Sequence, residues 1–478
     1  MDTARAAEVS ARIEECSPAD STLAALAAEG QVFTNASAPA PWTLPSHGSL
    51  FTGTYPSKHG AHADHKRLDG RLTTLAEAFG RAGYETVCLT NNVWITETFG
   101  FDRGFETVYK PWQYVQTDTD FGEIQIRQEG LAKYRTAARA LVDGDVLANA
   151  ANALYGRFLY RRNDYGAGRT NALVRRWLRS RSADSPFFLF VNYLEPHIEY
   201  QPLERFARRH LPTDVTYEDA REVSQDAWAY VLGKTDHTER ELSALQALYR
   251  AEIDYLDARL SELRATLDAA DEWDDTVVVL TSDHGENVGD HGLMDHQYCL
   301  YETLLHVPLI VRGGGFGRGE TDDLVQLTDL LPTLLDAAGI EAPATREQAQ
   351  GRSLHPDVEE PPRKRAIAEY IGPQPSIESL ERKFDDRPAA IDRYDRRLRA
   401  IRIGEEKLIR GSDGSVELYD LADDPEETND LAPSRPGHVE SLAGELDAWL
   451  GSFDHARHDE SVTMDAGTKQ RLEDLGYL

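Results

Sequence analysis

Cysteine is scarce: the 478 residues contain only Cys16, Cys88 and Cys299. Their spacing matches no metal-binding pattern, and an odd number supplies no disulfide framework. A reducing compartment suits such a chain, and a cytoplasmic location is the expectation. Lysine is also rare, supplying nine of the 51 basic residues. No basic tract is present that would displace counterions from phosphates, which excludes nucleic acid as a partner. No apolar run approaches the roughly 18 residues that a membrane-crossing helix needs, so no membrane span is expected. The first residues also lack the charged-then-apolar pattern of a secretory leader. No internal repeats are present.

What the chain has in excess is acid. Its 82 Asp and Glu residues outnumber the basic ones and give a formal net charge of −31. Excess carboxylate, with arginine preferred over lysine, fits a protein adapted to high salt, where the carboxylates stay hydrated and their repulsion is screened. The hydrophobic fraction of 41% and its periodicity exclude a disordered acidic chain. The length predicts one large domain and a smaller one.

Helical and strand patterns alternate along the first part. Leu23 to Gly30 reads as a helix and Gln31 to Thr34 as a strand; Leu72 to Ala82 reads as a helix and Glu85 to Thr90 as a buried strand. Residues 110–180, rich in Tyr, Arg and Ala, read as helical. Pro186 to Tyr193 and Thr276 to Leu280 are predicted buried strands around a helical region over 222–270. His306 to Arg312 precedes a glycine-rich turn, and a helix opening near Leu327 ends at Gly339. This alternation predicts an α/β fold with a parallel sheet. Residues 341–364 read as a polar linker or surface loop. Beyond them the pattern shortens to strands at Ala366 to Ala368 and Leu398 to Arg402. A hairpin joins Lys407 to Arg410 with Glu417 to Leu421, and a helix runs from Pro436 to Leu450. The expected domains are therefore 1–364, α/β, and 365–478, a small antiparallel sheet with a helix.

The chain is organised around Thr43-Leu44-Pro45-Ser46-His47, followed by Thr52-Gly53 and His59-Gly60. Thr43 sits where a loop hands over to a helix, a natural place for an anionic group. A second stretch, Ser282-Asp283-His284-Gly285-Glu286, follows a predicted strand, where sites lie in open α/β sheets. With Phe99 to Phe105 and Leu418-Tyr419-Asp420-Leu421 ahead of Asp424-Pro425-Glu426-Glu427, these motifs resemble the sulfatases of the alkaline phosphatase superfamily. The resemblance covers nearly the whole chain, from Asp2 to about Leu450. It implies an alkaline-phosphatase-like, mostly parallel central sheet flanked by helices, with 1–364 as the catalytic domain.

In that family a first strand ends in acidic residues. Asp2-Thr3-Ala4-Arg5-Ala6 is similar to such a strand end, and the strand itself is expected upstream of Asp2. The resemblance implies one divalent metal ion held by Asp2, Thr43, Asp283 and His284, with calcium, manganese, magnesium and zinc all open. It places His197, in Glu195-Pro196-His197, near the leaving group. His296 stands where the family carries a lysine that touches the substrate anion, and His47 where it carries an arginine. His291 reads as a turn residue. Thr43 replaces the Cys or Ser that sulfatases convert to formylglycine, and Asn91-Asn92-Val93-Trp94 replaces a segment that holds a further lysine. These departures favour a metal-activated threonine alkoxide, with Thr43, His47, His197 and His296 as catalytic candidates. The expected function is metal-dependent hydrolysis of a sulfate or phosphate ester of a small molecule or glycan. A phospho-alcohol transferase acting on glycan or lipid, or a non-catalytic relative, are the alternatives.

Overall fold

A computed structural model describes residues 1–116, 151–152, 164–182, 185–384, 389–456, 464 and 472. Much of the predicted helical region 110–180 therefore lies outside the described residues; within it, Ala167–Ser180 is a helix. The α/β alternation is present. Strands β1 (Gln31–Phe33), β2 (Glu85–Thr90), β3 (Thr107–Tyr109), β4 (Phe187–Asn192), β5 (Val278–Thr281), β6 (Leu309–Arg312) and β7 (Gly319–Thr321) form two sheets. One has the order β3-β2-β4 and is wholly parallel. The other has the order β7-β1-β6-β5; β7 runs parallel to β1, while β6 is antiparallel to both neighbours.

Strands β4 and β5 are edges. Between them lies a cavity of about 550 Å³, lined by Phe188, Phe190, Leu263, Val277 and Val279, with Met1 among the lining residues. Both strands read as fully buried from their composition, yet most of their residues are only half-buried. The reason is this slot, which leaves one edge of each strand without a neighbouring strand among the described residues. The Met1 ammonium donates to the carbonyl of Thr281 at 3.0 Å, and burial lowers its pKa.

The Thr43–Thr52 helix carries the first motif stretch and is buried along its whole length. Gly53 ends it at φ +66°, a left-handed turn that favours glycine, and its N–H donates to the Ser49 carbonyl at 2.8 Å. His47 and Phe51 on this helix pack with Phe190, and Phe51 also meets Phe101 and Phe105 of the following turn.

Two regions depart from their sequence reading. The stretch 222–270 is not one helix: Ala227–Val231 is short, and Glu239–Asp268 starts afresh behind Thr238. Gly233, at φ +68°, and the capping box between Thr238 and Glu241 account for the break. Residues 341–364 are not a free linker. They hold the Pro343–Gln348 helix, and the Gln348 side chain donates to the carbonyls of Thr52 and Thr73. Arg363 from the same segment pairs with buried Asp329.

The C-terminal antiparallel sheet follows the sequence closely. Strands β8 (Ala366–Tyr370), β9 (Leu398–Ile403), β10 (Glu406–Gly411) and β11 (Val416–Asp420) form a meander in chain order. The helix spans Pro436–Leu450. Its Leu442, Leu446 and Trp449 pack with Ile401, Leu408 and Leu418, and also with Tyr55 from the organising stretch.

Candidate active site

The site forms where the ends of several elements meet. Residues Asp2 to Ala4 lie against the end of β5, held by backbone bonds that their own short side chains do not explain. The Ala4 N–H donates to Ser282 Oγ at 2.8 Å, and the Thr3 N–H to Asp283 Oδ1 at 3.3 Å. Tyr249, from the long helix, donates its hydroxyl to the Thr3 carbonyl at 2.7 Å. Gly285 allows the following turn, because a Cβ there would lie 2.0 Å from the Thr303 carbonyl oxygen. Ser46 of the Thr43–Thr52 helix donates to the Asp283 carbonyl at 2.6 Å, tying the two motif stretches together.

Thr43 is the first residue of its helix and is fully buried. Its Oγ1 lies 3.4 Å from His284 Nε2 and 3.4 Å from Asn92 Nδ2. Asn92 also donates to Asp2 Oδ2 at 2.7 Å. The ring of His284 is oriented by its other nitrogen: Nδ1–H donates to the Gly285 carbonyl at 2.9 Å, which leaves Nε2 facing Thr43 and Asp283. Asp283 Oδ2 lies 3.2 Å from His284 Nε2 and 3.4 Å from His47 Nδ1. Burial alone would raise the Asp283 carboxyl, but the imidazoles of His284 and His47 outweigh it and hold the pKa well below the usual carboxylate range.

Two oxygens here, Asp2 Oδ1 and Asp283 Oδ2, are buried and accept no hydrogen bond. The ligand atoms offered by Asp2, Asp283 and His284 all lie within 4.8 Å of one another. Oxygen and imidazole donors in this number suit a divalent cation, which would also meet the two orphaned oxygens.

The sequence candidates fall into place around this group. His47 sits one turn after Thr43, and its Nδ1 donates to the Thr43 carbonyl at 2.9 Å. Burial lowers its pKa, with Asp283 and Asp2 opposing. Its ring therefore braces the start of the helix and the Asp283 carboxylate. His296 and His284 lie ring to ring at 4.6 Å, and His197 lies 4.9 Å from His296 on its other side. His197 Nδ1 bonds the Ile198 carbonyl. His291 lies outside this cluster, at φ +52° and stacked on Tyr301.

Sequence reasoning did not single out Asn92, Glu286, Asp295 or Glu195. Asn92 was visible only as a replaced lysine. Glu286 lies inside the second motif stretch and Asp295 directly precedes His296, and Glu286 Oε1 and Asp295 Oδ1 face His296 Nδ1 at 3.2 and 2.5 Å. Burial alone would depress the His296 ring, but these two carboxylates raise its pKa well above the ordinary value. Glu195 is buried beside Asp164, and burial raises its pKa to about 7.

A family model described as Sulfatase matches residues 1–340. The chain is 27% identical to arylsulfatase K of Bos taurus over 88% of its own length and 75% of that protein. It is 25% identical to choline-sulfatase of Rhizobium meliloti, over 92% of this chain and 83% of that one. Among solved structures, the phosphonate monoester hydrolase of Agrobacterium radiobacter superposes with a TM-score of 0.65 at 22% identity, covering 90% of each chain. A 2-O GAG sulfatase superposes at 0.61 and 19% identity, covering 93% of each. These structural likenesses show a shared fold.

Proposed function

The chain belongs to the sulfatase family and is a hydrolase of sulfuric or phosphoric esters; from that premise we propose that it acts through Thr43 with a divalent cation, and that phosphoesters are its preferred substrates. The observation that carries this reading is Thr43 Oγ1 at a helix start, beside His284 Nε2 and two buried carboxylate oxygens that accept no hydrogen bond. Asp2, Asp283, His284 and Thr43 would hold the cation, which when bound would lower the pKa of the hydroxyl and neutralise the attacked anion.

Thr43 Oγ1, its proton given up to solvent water, attacks phosphorus, and the bond to the leaving alcohol oxygen breaks in line. The helix start and the Asn92 amide hold the substrate oxygens. We assign to His197 the proton that the leaving oxygen takes up. Water then resolves the Thr43 ester, which cannot collapse to an aldehyde as a formylglycine hydrate would. The substrate is a small-molecule or glycan ester. No helix among the described residues is long and apolar enough to cross a membrane.

The organisation into 1–364 and 365–478 belongs to the same reading.

Turnover of 4-nitrophenyl phosphate, the bis-phosphodiester, a phosphonate ester and 4-nitrophenyl sulfate, with chelator or added divalent metal, tests the chemistry. Metal-dependent release from a phosphorus ester is expected. Sulfate turnover alone would sink the phosphoester preference. An added alcohol that captured most of the product would turn the assignment to transfer.

A further inference from the structure

The carboxylates of this site exceed its cations. Asp2, Asp283, Glu286 and Asp295 are 0, 2, 0 and 5% exposed. Among the described residues no lysine or arginine forms an ion pair with any of them. One divalent cation at Asp2 and Asp283 balances two of these charges. It leaves Glu286 and Asp295 with the His296 ring between them.

That ring does not satisfy both. Asp295 Oδ1 lies 2.5 Å from His296 Nδ1 and also accepts the His296 backbone N–H at 2.7 Å. Glu286 Oε1 faces the same Nδ1 at 3.2 Å. A single N–H has one proton to offer two carboxylates. Glu286 Oε2, on a fully buried side chain, accepts nothing. A buried carboxylate oxygen left this way is costly unless something positive meets it.

The backbone keeps the three groups together. Asn287–Val288 pairs antiparallel with Met294–Asp295, with Asn287 opposite Asp295. Glu286 and His296 therefore leave the same end of a two-residue ladder. Arg5 fixes the Glu286 carbonyl from behind and pairs with Asp290 in the connecting turn. The ligand atoms offered by Glu286, Asp295 and His296 lie within 4.8 Å of one another.

We propose that Glu286, Asp295 and His296 bind a second divalent cation beside the one assigned to Asp2, Asp283 and His284. The inference rests on that first assignment for its role, though its ligands are separate. Two carboxylates and an imidazole suit manganese or zinc. The contact of the His284 and His296 rings makes the two positions neighbours. A pair of cations there would present to an anionic ester the positive charge that the site lacks in lysine and arginine, one cation toward the attacking oxygen and one toward the leaving oxygen.

The test is metal content of the whole chain after chelation and dialysis against Mn²⁺, read by mass spectrometry, with Mn²⁺ paramagnetic resonance as a second measurement. Wild type is expected to hold about two ions per chain and to show a spin-coupled pair. Asp295→Asn and Glu286→Gln should each hold about one and lose the coupling, as should Asp283→Asn. One uncoupled ion in wild type, unaffected by Asp295→Asn and Glu286→Gln but lost in Asp283→Asn, overturns the second site and leaves the first. One ion retained in Asp283→Asn and lost in Glu286→Gln supports this site and removes the first assignment. No ion in folded wild type overturns both. Should a variant fail to fold, the wild-type stoichiometry and coupling still decide.

Discussion

Buried carboxylates occur in two settings in this molecule. Asp329 and Glu369 are as completely buried as Asp2 and Asp283. Asp329 is met by the guanidinium of Arg363 and accepts backbone N–H groups from Gln326 and Arg352 at 2.9 and 2.8 Å. Glu369 is met by Arg399 at 2.9 Å and accepts the Ser57 N–H at 2.8 Å. At the site, by contrast, Asp2 Oδ1, Asp283 Oδ2 and Glu286 Oε2 accept no hydrogen bond. Desolvation costs are similar in both places. In the first setting the chain itself supplies the compensating charge. In the second the imidazoles of His47, His284 and His296 compensate part of the charge, and three carboxylate oxygens stay without a donor. Glu195 shows a third outcome: without a cation bonded to it, it keeps its proton, with a pKa raised by burial to about 7.

The comparison breaks most visibly at the reacting oxygen. Thr43→Ala should lower kcat/KM on the preferred ester by about 10³-fold or more, about 4 kcal/mol of transition-state stabilisation, while far-UV circular dichroism stays unchanged. Unchanged activity would remove Thr43 as nucleophile. Next comes the self-compensated setting. Asp329→Asn leaves Arg363 buried without its counter-charge and should cost about 3–5 kcal/mol in urea unfolding.

Glu195→Gln separates the protonated outcome from the other two. The folded pKa of Glu195 lies above its unfolded value. The native state thus binds the extra proton, and stability present below about pH 4.5 falls as pH rises to about 7. The glutamine variant loses that slope. Relative to wild type it should gain up to about 3 kcal/mol between pH 4.5 and 7, and no more above that. A difference between the two proteins that does not vary with pH would contradict the assignment.

A divalent cation at about 100 times its dissociation constant should then raise wild-type stability by about 2.7 kcal/mol for each site it fills, and chelator should reverse it. The smallest effect is the most pointed. Asp2→Asn in metal-free protein should change stability by no more than about 1 kcal/mol, because Asp2 Oδ1 accepts no hydrogen bond, yet it should lower the stabilisation by metal. A loss as large as that of Asp329→Asn would place Asp2 among the structural carboxylates.

Local chemistry made much of the fold legible. The Pro436–Leu450 helix, the β10–β11 hairpin across Ser412 to Gly414 and the helix starting at Thr43 follow from periodicity, turn residues and helix-start chemistry that sit within a few residues of one another. The stretch 341–364 has the polarity of a loop, and within it only Pro343–Gln348 is helical. Its Gln348 and Arg363 are nonetheless spent on backbone and carboxylate groups far away in the chain.

The sequence alone determined most of the order of the elements, the family frame around Thr43 and Asp283, and the ligands assigned to the first cation, Asp2, Thr43, Asp283 and His284. Only the tertiary structure decided which of those ligands remain unsatisfied. Thr43 and His284 meet across 241 residues of chain. Whether an oxygen such as Glu286 Oε2 finds a donor depends on every group folded around it, and no local pattern of residues carries that information.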